Sequence, residues 1–407
     1  MVLLRCRKRI FWIMENKIIN TWVGTLILVA LSSAVVFVVV KESGNFSPEF
    51  SQMIIIAKKK VAEAVPVLFP SPLPPPLPPN IERMKKQGCV ADGILSGFGG
   101  DTKEMINVVN RSDCYYLHRA LETWADKPDF EKAKKIKAKI EKENIVYGMF
   151  IAEAVNTKVL YRYPEEDRKF DFEKMCQDNN PDHWKKNICI PSFNSGEYRA
   201  YLKYITEQAM DMGIQSFLFG QVFLQEGGDL NNPRITKIIA DMREYADSKK
   251  MKIVVGAQTN DITNEKYLRN FDFIEGGVGL YSDGTLENGP CFSRWWKKEG
   301  DWCWALLWND KFAKKANNVF LHLDWTPQIG DDMSTFARMD DDKRRKTLRD
   351  LHDFFTSQGK GFMLPILAVL PKDNGGCYGG KKNFYSPSKK YSCDDEKTIN
   401  NILKKAW

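Results

Sequence analysis

The chain has 407 residues and a formal net charge of +8, with 60 Lys and Arg against 52 Asp and Glu. Nine of the basic and four of the acidic residues lie within residues 1–80, so the rest of the chain is nearly balanced and has no basic block suited to a phosphate backbone. This distribution excludes a nucleic-acid-binding protein.

A membrane-spanning helix is predicted for residues 21–40, because none of them is charged. About 20 residues at a rise of ~1.5 Å cross a hydrocarbon core of ~30 Å. Five basic residues and one acid precede this run, which predicts a cytoplasmic basic tail over residues 1–20. The alternative is a cleaved signal peptide, but the run ends in Val-Val-Val-Lys without a small-residue cleavage pattern.

Residues 41–80 are predicted to be a stalk, because residues 65–79 are rich in proline and favour an extended polyproline II spacer. The alternative is a ligand for a proline-recognition domain, which an extracytoplasmic location disfavours. Residues 81–407 follow without a second linker and indicate one large extracytoplasmic domain. The lipid bilayer is thus an expected partner through residues 21–40.

Eight cysteines follow the predicted helix and fall into pairs of sequence neighbours. Loop closure costs least for near neighbours, and disulfides persist in oxidising compartments. We therefore predict the disulfides Cys89–Cys114, Cys176–Cys189, Cys291–Cys303 and Cys377–Cys393. Buried reduced thiols are the alternative. No Cys-x-x-Cys spacing indicates structural zinc.

Short apolar runs alternate with amphipathic runs through the large domain, which predicts an α/β fold with a parallel sheet. The predicted strands are 92–98, 146–154, 216–222, 252–258, 271–279, 303–308, 319–325 and 361–368, and the clearest helices are 197–212, 233–249 and 341–358. Eight such units close a (β/α)8 TIM-like barrel. An open doubly wound sheet is the alternative, because Pro365 interrupts the last strand and 303–308 could begin a helix.

Alternate strand residues point into a barrel, and barrel enzymes place their sites at the carboxyl ends of the strands. On each predicted inward face a polar residue comes last, which gives the set Glu153, Gln221, Gln258, Glu275 and Asp324. The alternative is that strand ends are polar because they meet water. Glu275 is the strongest candidate, since a carboxylate among apolar residues and glycines is costly to bury without a role.

Tryptophans near these strand ends suggest a carbohydrate ligand, because indole faces match the apolar faces of sugar rings. The predicted substrate-binding residues are Gln221, Gln258, Glu226, His322, Trp295, Trp296 and Trp325. Core packing is the alternative for the tryptophans. Glycosidic cleavage needs two carboxyl groups, and we predict Glu275 and Asp324 as this pair, with Glu153 assisting.

Other chemistries have weaker support. The four histidines, His118, His183, His322 and His352, are scattered along the sequence, so neither a metal site nor a cofactor is expected. The chain contains no Gly-x-Ser-x-Gly elbow and no phosphate-binding Gly-x-x-x-x-Gly-Lys motif that continues with Ser or Thr.

The pattern over roughly residues 92–370, with motifs such as Phe-Ile-Glu-Gly-Gly and Leu-His-Leu-Asp-Trp, resembles (β/α)8-barrel glycoside hydrolases. The resemblance implies an acid on the fourth strand and a nucleophile on the seventh. Asp324 matches the seventh predicted strand, whereas the fourth ends in Gln258 instead of a carboxylate.

The sequence therefore predicts a membrane-anchored, extracytoplasmic glycoside hydrolase that acts on a surface or extracellular glycan. One alternative is a non-catalytic carbohydrate-binding module on a degenerate barrel. Another is a lumenal glycosyltransferase, whose metal motif would have to come from Asp331-Asp332 or Asp340-Asp341-Asp342.

Overall fold

A computed structural model describes residues 76–407 except 125, 228–229, 261, 288–306, 325–331, 371–383 and 392. The described residues belong to one compact unit. Within these ranges no helix combines the length and apolarity needed to cross a bilayer. The predicted transmembrane helix at 21–40 lies outside the described residues, as does the stalk up to residue 75.

The fold is α/β and is built on a ten-stranded, mainly parallel sheet. The strands, in chain order, are β1 Gly88–Ala91, β2 Tyr116–Glu122, β3 Val146–Ile151, β4 Val155–Asn156, β5 Arg162–Tyr163, β6 Arg168–Lys169, β7 Ile188–Cys189, β8 Ser216–Phe219, β9 Val254–Ala257, β10 Phe273–Val278, β11 Val319–Leu323, β12 Gly361–Phe362, β13 Leu364–Val369 and β14 Phe384–Tyr385. Strands β4 and β7 form one small ladder, and β5 and β6 another.

The parallel strands form a closed ring, because the last strand of the series pairs with the first. They run from β1 through β2, β3, β8, β9, β10 and β11 to β12, and β13 pairs with β1. Strands β12 and β13 are separated by Met363 alone, whose N–H donates to the Leu321 carbonyl at 2.7 Å. They therefore act as one eighth strand, which gives a TIM-barrel-like sheet and not the doubly wound alternative.

Pro365 is compatible with this eighth strand. It lies opposite Val90, and the register between β1 and β13 shifts immediately afterwards, between Val90 and Ala91. Such an irregularity accommodates a residue that cannot donate a backbone hydrogen bond.

One predicted strand is wrong. Residues 92–98 form turns, with positive φ at Gly93 and Gly97, and the first strand is β1 just before them. The prediction at 303–308 falls mostly outside the described residues, and in the described sheet β10 pairs directly with β11. Strand β2 was missed, because His118, Arg119 and Glu122 interrupt its apolar pattern.

The helices are α1 Ile81–Lys86, α2 Thr102–Arg111, α3 Phe130–Lys137, α4 Gly196–Asp211, α5 Val222–Gln225, α6 Ile235–Ser248, α7 Glu265–Leu268, α8 Asp310–Ala313, α9 Asp332–Ala337, α10 Asp341–Thr356 and α11 Glu396–Ala406. The structure confirms the three helices predicted from periodicity, which are α4, α6 and α10. Side-chain caps fix two of their starts, because Ser195 accepts from Tyr198 N and Asp340 accepts from Lys343 N.

Two apolar clusters hold the sheet. The larger one packs the strands against the helices. The smaller one takes residues from every strand of the ring, counting Met363 between β12 and β13, and therefore fills its interior; its members are Met84, Val90, Tyr115, Tyr116, Val146, Phe150, Ala152, Leu218, Val254, Phe273, Phe320 and Met363.

The predicted inward faces are correct for β10 and β11, where Phe273 and Phe320 belong to the inner cluster. They are inverted for β3 and β8. Phe150 and Leu218 lie in the inner cluster, whereas Met149 lies with the outer one. Both strands are buried on both faces, so apolar alternation along them carries no sign of direction.

Two predicted disulfides are present, Cys89–Cys114 and Cys176–Cys189. The first joins β1 to the start of β2. The second joins Cys176, in the turns that follow β6, to Cys189 on β7. The other two predicted pairs, 291–303 and 377–393, include residues outside the described ranges.

Candidate active site

Glu275 lies inside the ring between two histidines that are far apart in the sequence. His118 is on β2, Glu275 on β10 and His322 on β11, and all three are buried. His118 Nε2 lies 3.2 Å from Glu275 Oε1, and His322 Nε2 contacts the same oxygen. Glu275 Oε2 has no hydrogen-bond partner among the described residues. The carboxylate therefore has both of its histidine contacts on one oxygen, and the other oxygen is buried without a hydrogen bond from the described residues.

The remaining ring nitrogens of the two histidines are also held. His322 Nδ1 lies 2.8 Å from the Leu323 carbonyl oxygen, which can only accept. His118 Nδ1 lies 2.9 Å from the Tyr116 hydroxyl, which is 3.0 Å from Ser216 Oγ. Both imidazoles are therefore fixed in orientation, with Nε2 directed at Glu275.

Burial and the contacts within the cluster change the pKa values of Glu275 and His118. Burial tends to raise the pKa of Glu275, but His322 and the hydrogen bonds from both histidines outweigh it and hold that pKa well below its usual range. Burial lowers the pKa of His118 to about 4, against the opposing influence of Glu275. A neutral His118 can then donate from Nε2 to Glu275 and accept at Nδ1 from Tyr116.

The same three side chains are a possible metal-binding set. The two Nε2 atoms and the carboxylate oxygen lie within 4.8 Å of one another. Scattered sequence positions led us to expect no metal site, but positions on different strands converge inside a barrel. The missed β2 strand hid His118 from that reasoning.

Glu153 follows β3 at the carboxyl end of the ring and is also buried. Gln221, which follows β8 with φ of 22°, donates from Nε2 to Glu153 Oε1. Glu153 Oε2 has no hydrogen-bond partner among the described residues. Burial raises the pKa of Glu153, the bond from Gln221 lowers it, and the charge of Glu275 adds to the increase. The structure thus joins Glu153 to Gln221 by a hydrogen bond, and the charge of Glu275, a third member of the predicted set, acts on Glu153.

An irregular segment of β2 places a second buried charge cluster at the same end. Its register with β3 shifts between Leu117 and Leu121, and Arg119 within this bulge has φ of 57°. Arg119 binds Glu122 through two hydrogen bonds of 2.6 and 3.1 Å. Burial, the largest influence, and the nearby Asp92 raise the pKa of Glu122 well above its usual value despite Arg119. Sequence patterns had not singled out this cluster.

A disulfide-closed segment supplies an aromatic side chain that the sequence analysis had not selected. Trp184 lies between Cys176 and Cys189, is 44% exposed, and donates from Nε1 to the Glu153 carbonyl oxygen at 3.1 Å. It therefore stands at the surface beside Glu153. The signal in the sequence was a tryptophan between two neighbouring cysteines.

The other predicted site residues either follow strands β9 and β11 or lie outside the described residues. Asp324 is buried directly after β11, and its carbonyl oxygen accepts from Met333 N at 2.7 Å. Gln258 follows β9 and is half-buried, and the neighbouring Asn260 reaches Gln221 Oε1 at 3.4 Å. Trp295, Trp296 and Trp325 lie outside the described residues.

Three polar residues singled out in the sequence have structural roles. The Glu226 carboxylate accepts from the backbone N–H groups of Arg234 and Ile235, both at 2.9 Å, and so caps the start of α6. Asp340 caps α10, and Asp332 accepts from Leu280 N at 2.8 Å. These contacts occupy Asp332 and Asp340, one aspartate of each motif on which the glycosyltransferase alternative depended, and Asp331 lies outside the described residues.

No protein-family model matches the chain, and a comparison with curated proteins finds no similar sequence. Among solved structures, it is similar to a GH113 β-1,4-mannanase, with 12% identity and a TM-score of 0.44 over 78% of this chain and 96% of that chain. It is also similar to a cyclic α-maltosyl-(1→6)-maltose hydrolase from Arthrobacter globiformis, with 12% identity and a TM-score of 0.45 over 84% and 79%.

A third similar structure is a GH27 β-L-arabinopyranosidase from Geobacillus stearothermophilus, with 11% identity and a TM-score of 0.38 over 72% of this chain and 71% of that chain. The likeness to these glycoside hydrolases is one of barrel-like architecture. At these TM-scores it does not identify an activity, so the residues of the site have to indicate the chemistry.

Proposed function

We propose that the chain hydrolyses glycosidic bonds in a carbohydrate substrate, with Glu153 and Glu275 as the principal carboxyl groups. The observation that carries this proposal is that both side chains are buried, Glu275 inside the ring and Glu153 just after β3, that the charge of Glu275 acts on Glu153, and that each has one oxygen without a hydrogen-bond partner among the described residues. Burying such oxygens is costly, so their retention favours a role in chemistry over one in stability.

The contacts support different roles for the two groups. Glu153 has a raised pKa because it is buried, which suits a general acid that protonates the leaving oxygen. Glu275 is oriented through Oε1 by two histidines, which leaves Oε2 to attack the sugar or to activate water. Asp324, the other member of the pair favoured by the sequence, remains a proposed assisting carboxylate at the end of β11.

Activity of the full chain in detergent against nitrophenyl glycosides and polysaccharides tests this proposal. We expect Glu153→Gln and Glu275→Gln each to lower kcat/KM by about 10²–10⁴-fold. Glu153→Gln should spare dinitrophenyl glycosides, whose leaving group needs no protonation, whereas Glu275→Gln should impair both substrate types. Glu131→Gln on the exposed face of α3 is the matched control. Full activity in both site variants would contradict the proposal.

A non-catalytic carbohydrate-binding module is the second candidate. Counted from β1, the fourth strand of the ring is β8, and it is followed by the amide Gln221. The resemblance to barrel hydrolases implies a carboxylate at this position. For this candidate, we expect glycan-array binding that survives combined amide substitution of Glu153, Glu275 and Asp324, together with no turnover by the original chain.

We also propose that the domain is tethered outside the cytoplasm. The uncharged run at 21–40 supports an anchor, and the disulfides Cys89–Cys114 and Cys176–Cys189 support an oxidising compartment. Deletion of residues 1–60 should move the protein from the carbonate-washed membrane fraction to the soluble fraction. An unchanged distribution would contradict the tether.

A further inference from the structure

The three groups at the centre of the ring have the arrangement of a metal site. Two imidazole nitrogens and one carboxylate oxygen lie within 4.8 Å of one another, and all three side chains are buried. Two histidines with one carboxylate form a donor set that binds zinc and other divalent transition metals and leaves a position open.

The hydrogen bonds around the histidines strengthen this interpretation. His322 Nδ1 is committed as a donor to the Leu323 carbonyl oxygen, at 2.8 Å. His118 Nδ1 lies 2.9 Å from the Tyr116 hydroxyl oxygen, which can accept from it once Nε2 has lost its proton. Metal-bound histidines are typically oriented through their second nitrogen in this way, and the ion takes the place of the proton on Nε2.

The contacts of Glu275 also suit a metal ion. Oε1 meets Nε2 of both histidines, and no lysine or arginine forms an ion pair with this carboxylate in the described part of the chain. Protons on the two Nε2 atoms satisfy this oxygen, and a metal ion in their place would join all three atoms. Glu275 Oε2 is buried, has no hydrogen-bond partner among the described residues, and offers a further ligand atom to a metal ion.

We propose that His118, Glu275 and His322 bind a divalent transition-metal ion such as Zn²⁺. Gly277 follows Glu275 on the inward face of β10 and pairs with His322, so no side chain from that position covers the carboxylate. Bound metal would occupy Glu275 and inhibit hydrolysis. This last consequence rests on the proposed function, whereas metal binding itself does not.

Cobalt binding to the full chain, freed of metal by chelation and desalting, tests the site by visible absorption without an activity assay. We expect about one Co²⁺ per chain, displaced by Zn²⁺. The variants His118→Gln, His322→Gln and Glu275→Gln should weaken binding by about a hundredfold or more, and Tyr116→Phe by about tenfold. His352→Gln is the matched control, because this buried histidine binds the Lys86 carbonyl on α1, away from the cluster.

Circular dichroism and the melting temperature establish that each variant is folded. The proposal is overturned if the folded chain gives no cobalt spectrum, if the three ligand variants bind as tightly as the original chain, or if a thiolate charge-transfer band shows that cysteines hold the metal. Inhibition of hydrolysis by Zn²⁺, at the concentrations that displace Co²⁺ from the original chain, would show that the same site regulates activity. A protein that binds cobalt but hydrolyses none of the substrates would contradict the proposed hydrolysis and leave the metal site intact.

Discussion

At the scale of single residues, the protonation of Glu153 depends on Gln221. The amide of Gln221 donates to Glu153 Oε1 and lowers a pKa that burial raises. A general acid must be protonated, so the rate falls as pH rises through its pKa. We expect Gln221→Met to raise the pKa of Glu153 further and to move the alkaline limb of the pH–rate profile to higher pH.

The pH dependence of kcat/KM measures this shift. Asn260→Ala is the control, because Asn260 contacts Gln221 at 3.4 Å and reaches Glu153 only through it. Its profile should change less than that of Gln221→Met. An alkaline limb that stays in place, or moves to lower pH, would remove Glu153 from the role of acid.

Trp184 is an exposed aromatic residue beside Glu153. Its indole is 44% exposed while its N–H is fixed to the Glu153 carbonyl oxygen. Stacking on an aromatic face contributes about 0.5–1.5 kcal/mol, so Trp184→Ala should raise KM roughly two- to tenfold with little change in kcat. Trp184→Phe should retain part of the effect. Steady-state kinetics on an oligosaccharide would contradict this role if KM did not change.

At the scale of elements, the disulfide Cys176–Cys189 holds the segment that carries Trp184. Lys185 and Lys186 are exposed within this segment, which has little regular structure beyond the β4–β7 ladder. A disulfide restricts the alternatives open to such a loop. Trypsin should therefore cleave after Lys185 or Lys186 about tenfold faster in Cys176→Ser/Cys189→Ser than in the original chain.

Mass spectrometry of timed digests locates and quantifies these cuts after reduction. Cleavage after Lys134 and Lys135 on α3 gives an internal control in the same digest, since that helix lies outside the closed segment. A general acceleration at both places would indicate global destabilisation. Equal cleavage after Lys185 and Lys186 in both proteins would mean that the disulfide does not order this segment.

At the scale of the whole molecule, alternation and periodicity predicted the parallel sheet and three long helices, and the spacing of the cysteines predicted two disulfides. They did not predict β2, because the inward His118 and the bulge at Arg119 replace the apolar pattern of a strand. Glu275 was found because burial of a lone carboxylate is expensive. Its two histidines were not found as a group, since their proximity depends on ring closure and not on sequence spacing.

Closure of the ring leads to a prediction about Gly88. Strand β1 meets the eighth strand at Met363, and a Cβ on Gly88 would lie 2.6 Å from the Met84 carbonyl oxygen and collide with the Met363 thioether. Met363 is buried inside the ring, so neither neighbour can move away without disturbing β12, β13 or α1. We expect Gly88→Ala to reduce the free energy of unfolding by about 1–3 kcal/mol.

Thermal and urea unfolding of the two alanine variants Gly88→Ala and Gly196→Ala give the comparison. Gly196 is the first residue of α4, and a Cβ there meets nothing closer than the Arg199 guanidinium at 3.9 Å. Its substitution should leave stability unchanged or improve it, because alanine favours the helix. If Gly88→Ala unfolded no earlier than Gly196→Ala, the contact between β1 and Met363 would be looser than described, and the ring would not depend on close packing at this point.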